Sequence, residues 1–126
     1  MKKLAAEILA VAKEVVAIPM SFDAPSVETT RWAKRTLMLA LRVDSSWKMI
    51  YESFLTNQEG SSNKFHYFGV FKNKITGECV GGNAYGRIGY NPKAIEVSRG
   101  SEMGVMSTVH RKMRDKQGKG YTVTEV

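Results

Sequence analysis

Tyr85 and Arg87 are the residues of this chain whose types and spacing suit a chemical task. They stand in Asn83-Ala84-Tyr85-Gly86-Arg87-Ile88-Gly89-Tyr90. In an extended segment alternate side chains share a face, so the phenol and the guanidinium point the same way. Gly86 leaves the opposite face bare, and Gly89 supplies a backbone position free to turn. An aromatic plane stacks on a base or a sugar, and a guanidinium forks onto a phosphate. On the octapeptide alone, a strand end carrying an ordinary exposed Tyr and Arg is the favoured reading.

Charge favours the first reading. The chain of 126 residues carries 19 Lys and Arg against 12 Asp and Glu, a formal net charge of +7. Residues 1–63 hold eight cations and seven anions, whereas residues 64–126 hold eleven and five. A polyanionic partner is therefore expected to meet the C-terminal half. Lys64, Lys93, Arg99 and a helix face with Arg111, Lys112 and Arg114 join Arg87 as candidates for phosphate contact. Tyr90 joins Tyr85 as a candidate for stacking. Contacts of this kind give salt-sensitive affinity without base readout.

Other chemistries find little support. Nothing resembles a major-groove recognition helix, and no Cys/His spacing suggests a zinc module. The glycines Gly81, Gly82, Gly86 and Gly89 form neither a Walker loop nor a dinucleotide fingerprint. His66 alternates into an aromatic strand, where a packed ring is expected, and His110 lies on a basic helix. Cys79 is the single cysteine, which excludes an intrachain disulfide, and reads as a small buried hydrophobe. No enzyme, cofactor or metal is expected. No run reaches the roughly 18 apolar residues of a membrane span, and Glu7, Lys13 and Glu14 interrupt the apolar stretch after Met1-Lys2-Lys3. A cytoplasmic, unprocessed protein is expected.

The elements that position these residues follow from periodicity. Leu4, Ile8, Val11 and Val15 give an amphipathic helix over residues 2–17. Residues 18–30, with Pro19 and Pro25, read as a connector. In residues 31–43, Leu37, Leu39, Leu41 and Val43 alternate, whereas Ala33, Leu37, Ala40 and Leu41 fit a helix; a strand ending at Val43 is favoured. Residues 47–56 read as a strand with an irregularity near Ser53. Residues 57–64 form a polar loop and Phe65 to Phe71 a strand. A hairpin turn with Gly77 follows. Glu78 to Ile88 is the return strand, weakened or bulged at Gly81-Gly82, and Lys93 to Val97 is extended. Ser101 caps a helix over Glu102 to Gln117 that buries Met103, Met106, Val109 and Met113 and ends at Gly118 and Gly120. Tyr121 to Val126 closes the chain as a strand. The class is α+β, an antiparallel sheet packed on the C-terminal helix. Residues 1–30 form an arm with a linker, and residues 31–126 the domain.

From Met49 onward these pieces resemble the WGR domain, named for a Trp-Gly-Arg triplet and found in poly(ADP-ribose) polymerases and small bacterial proteins. The resemblance rests on Gly60-Ser61-Ser62-Asn63-Lys64-Phe65, on Tyr85-Gly86-Arg87-Ile88-Gly89, and on Lys116-Gln117-Gly118-Lys119-Gly120-Tyr121. It spans roughly residues 48–126. It implies a sheet crossed by one helix and a DNA-binding role near strand ends or breaks, with the triplet's roles falling on Tyr85 and Arg87. Tyr85 departs from the family's Trp: it offers less stacking area and a hydroxyl in place of the indole N–H. A second function class is an assembly protein, such as a virion or complex component. It would use the same fold as an interaction unit and helix 2–17 as the arm for a protein partner or for self-association.

Overall fold

The computed structural model describes residues 25–58 and 63–124. Helix 2–17 and most of the connector before Pro25 lie outside them, as do residues 59–62 of the polar loop. Five antiparallel strands, β1 (Trp47–Asn57), β2 (Lys64–Asn73), β3 (Cys79–Arg87), β4 (Lys93–Gly100) and β5 (Thr122–Val123), form one sheet of order β4-β3-β2-β1-β5. The first four make a meander. The chain then crosses one face as a helix and returns to pair β5 with the far edge of β1, Leu55 opposite Val123.

Two helices sandwich the sheet: α1 (Pro25–Leu41) on one face and α2 (Glu102–Gly118) on the other. Alternation along β2 serves both layers. Phe65, Tyr67 and Phe71 pack with Ala33, Leu37 and Leu41 of α1. Phe68 and Val70 pack with Val105, Val109 and Met113 of α2. A strand buried on both faces shows a continuous apolar run, as in Phe65–Phe71. Gly81 and Gly82 set how closely the layers approach. A Cβ on Gly81 would lie 2.8 Å from Val109 of α2, and one on Gly82 would lie 2.6 Å from Leu37 of α1. One dipeptide thus seats both helices, and the register of β3 against β4 slips there, as the sequence predicts.

Helix α1 corrects two expectations. Residues 25–30 are its first turns rather than a connector, with Pro25 at the helix start where a missing N–H costs nothing. Residues 31–41 are helix rather than strand. Ala33, Leu37 and Leu41 are buried at a spacing of four, whereas Leu39, which created the alternation, is 55% exposed. The helix ends in a Schellman turn, Val43 N–H donating to Met38 C=O and Arg42 N–H to Leu39 C=O. The left-handed residue of that turn is Arg42, φ 57°. Without a glycine there, the stop is invisible in the sequence.

Helix α2 starts as expected, Gly104 N–H donating to Ser101 Oγ at 3.1 Å. Its buried stripe is Val105, Val109 and Met113, with Met106 partly buried. Met103 is not part of it, being 84% exposed, because the helix presents Val105 and Val109 to Gly81 instead. The irregularity of β1 falls between Met49 and Tyr51 rather than near Ser53. Among the described residues no helix is long and apolar enough to cross a membrane.

Candidate nucleic-acid interface

Strand register gathers the first group. Lys64 pairs with Arg87, His66 with Tyr85, and Tyr85 on its other side with Lys93. Lys64, His66, Tyr85 and Arg87 alternate onto the α2 face. The ring of His66 stacks on Tyr85 with centroids 5.5 Å apart and planes 20° apart.

The end of α2 supplies the second group. Gly120, φ 97°, is the left-handed residue of a Schellman turn in which Tyr121 N–H donates to Lys116 C=O and Gly120 N–H to Gln117 C=O. This reversal brings Tyr121 edge-on to His66, centroids 4.9 Å apart, and leaves Lys116 beside it. The result is an open cleft of about 420 Å³ lined by Lys64, Phe65, His66, Tyr85, Gly86, Arg87, Lys116 and Tyr121. Three cations and three aromatic rings of polar character thus face one hollow. Lys64, Arg87 and Lys116 have no carboxylate partner among the described residues.

Arg87 is placed by the turn that follows it. Tyr90 N–H donates to Arg87 C=O at 3.0 Å, Gly89 takes φ 93°, and the guanidinium carbon lies 5.7 Å from the Tyr90 ring centroid. A cation–π contact of this kind orients the group without neutralising it. Both Arg87 and Tyr90 remain exposed.

The floor of the cleft is neutral. Asn83, buried, donates through Nδ2 to Tyr67 C=O and Ala84 C=O, which turns its Oδ1 toward His66 Nδ1 at 3.1 Å. The hydrogen of the neutral ring therefore sits on Nδ1 and its Nε2 is a lone-pair acceptor. Burial is the main cause that pushes His66 down to about 4; Lys116 and Lys119 add to the effect, and the Asn83 contact opposes it.

Of the residues expected from sequence, Tyr85, Arg87 and Lys64 line the cleft. Tyr90 flanks it through Arg87, and Lys93 lies across the ladder from Tyr85. Arg111, Lys112 and Arg114 are exposed on the outer side of α2 rather than in the cleft. Arg99 does not belong: it pairs with Val80 near the opposite end of β3. Its guanidinium is held by Glu96 at 2.8 Å and Glu78 at 3.0 Å, and lies 6.0 Å from the Trp47 ring centroid. Lys116, Tyr121 and His66 are the residues missed. Lys116 and Tyr121 are the two ends of the motif segment Lys116-Gln117-Gly118-Lys119-Gly120-Tyr121, and His66 directly follows the motif segment that ends in Lys64-Phe65. Only the register shows that the two segments meet.

A second hollow of similar size, about 440 Å³, is lined by Thr30, Glu52, Ser53, Phe54, Tyr67, Val123 and Thr124. Its one charged group is the Glu52 carboxylate, which accepts from Tyr67 OH at 3.0 Å. It is therefore no place for an anion. Among the described residues no group of three potential metal ligands occurs.

The meander, the crossing helix and the cleft at its C-terminal end define a small α+β module of the WGR type. The family model for the WGR domain matches residues 52–125, and the chain belongs to that family. No curated protein and no solved structure gives a significant match. WGR domains in poly(ADP-ribose) polymerases and related proteins are generally nucleic-acid-binding, and the domain itself is non-catalytic.

Proposed function

We propose that the protein is a non-catalytic DNA-binding module whose contact surface is the cleft between β2, β3 and the end of α2. The observation that carries this reading is the convergence of Lys64, Arg87 and Lys116, without carboxylate partners, on the exposed side of the Tyr85–His66 stack. In this reading the cations take backbone phosphates. Tyr85 takes a base or sugar where a strand end or break exposes one. Lys93, Arg111 and Arg114 extend the positive field and raise affinity without reading sequence.

His66 contributes by staying neutral. It stiffens Tyr85 by stacking and adds no charge that would repel Lys116. The test is a titration of labelled blunt duplex, nicked duplex and single strand at about 50 and about 200 mM salt. Salt-sensitive binding with a preference for nicks or ends is expected. Absence of binding at the lower salt would remove the reading.

A further inference from the structure

Helix α1 carries a cationic surface that the charge count conceals. Across residues 1–63 cations and anions nearly balance, yet α1 and its cap hold Arg31, Lys34, Arg35 and Arg42 against Glu28 alone. At about 100° per residue, Arg31 and Arg35 fall about 20° either side of the direction opposite Ala33. Ala33 is fully buried against the sheet, and Arg31 and Arg42 are exposed. Arg31, Lys34 and Arg42 have no carboxylate partner among the described residues. From Arg31 to Arg42 the helix rises about 16 Å, close to half a turn of duplex DNA.

This surface and the cleft face away from each other. Tyr85, His66 and α2 lie on one side of the sheet, α1 on the other. The sheet and the roughly 10–12 Å diameter of α1 separate the cleft from the outer surface of α1, so a straight duplex that fills the cleft does not reach that surface. The outer side of α1 offers no exposed aromatic anchor of the kind that dominates protein–protein contacts, because Trp32 is only 9% exposed. Spaced cations without such an anchor match a phosphate backbone.

We propose that α1 is a second nucleic-acid backbone surface, and that one molecule holds two duplexes, one on each side of the sheet. The proposal rests on the nucleic-acid reading of the cleft. The experiment is a capture assay at about 50 mM salt in which bead-tethered duplex retains a second, fluorescent duplex only when the full chain is added. The variant Arg31→Glu with Arg42→Asn removes charge from α1, and Asn suits the left-handed position. Capture is expected to fall about tenfold or more in this variant, while affinity for a single duplex changes less than about threefold. The same assay with Arg87→Ala is expected to weaken both signals.

Capture undiminished in the α1 variant overturns the proposal. So does sedimentation showing two protein molecules, each on one duplex, in the captured complex. Single-duplex binding by wild type without capture sinks the bridging proposal alone. Absence of single-duplex binding sinks the cleft reading with it.

Discussion

Arg87 and Arg99 lie near opposite ends of the same β3–β4 ladder, and each rests near an aromatic ring. Arg87 projects beside Tyr90 with no carboxylate partner among the described residues. Arg99 lies by Trp47 and is clamped by Glu78 and Glu96. In composition the two are equal, each one positive charge. In the fold one charge is paired internally and the other has no carboxylate partner among the described residues. Net charge therefore overstates the cations left unpaired, and the register shows which of them converge.

Four experiments sharpen or break that contrast. Arg87→Glu should lower DNA affinity roughly 10- to 100-fold, the scale of a lost hydrogen bond to a charged group, with an unchanged melting temperature. Tyr85→Ala should cost about 1–3 kcal/mol on single strands or ends, read by the same titration, and little on a closed duplex. Lys64→Ala and Lys116→Ala should each reduce the slope of log affinity against log salt by about one. At the clamped end, Arg99→Ala should leave affinity within about twofold and lower stability by at most about 1 kcal/mol, as expected for exposed ion pairs. Equal losses of affinity for Arg87 and Arg99 variants would erase the distinction.

The floor of the cleft adds a pH signature. His66 is neutral in the fold, its pKa displaced from 6.5 to about 4, while the unfolded chain takes up a proton near 6.5. Stability is fully present above the unfolded value and declines as pH falls from there toward about 4. A melting temperature that stays level across that window would mean the ring reaches water in the folded protein.

Much of the sheet was legible because its signals are local. The Phe65–Phe71 run, the Gly77 hairpin, the Gly81-Gly82 bulge and the Ser101 cap all appear where the sequence puts them. Helix α1 was not legible, for two reasons. Leu39, exposed, mimicked a strand, and Arg42 in a left-handed conformation ended the helix without the usual glycine. In the cleft, Tyr85, Arg87 and Lys64 were legible from residue type and motif. Lys116 and Tyr121 were not, since only the Gly120 reversal brings them to His66.

Cys79 gives the molecule a built-in clock. It is the single thiol of the chain, fully buried under Val105 and Val109 of α2, and burial pushes its pKa up. Lifting of the α2 layer from the sheet would expose it to a thiol reagent, so the labelling rate should report that opening. A ligand that bridges Lys116 of α2 and Arg87 of β3 ties the layer down. Labelling should slow in proportion to its occupancy, which turns a buried and chemically idle residue into a reporter of binding at a distance.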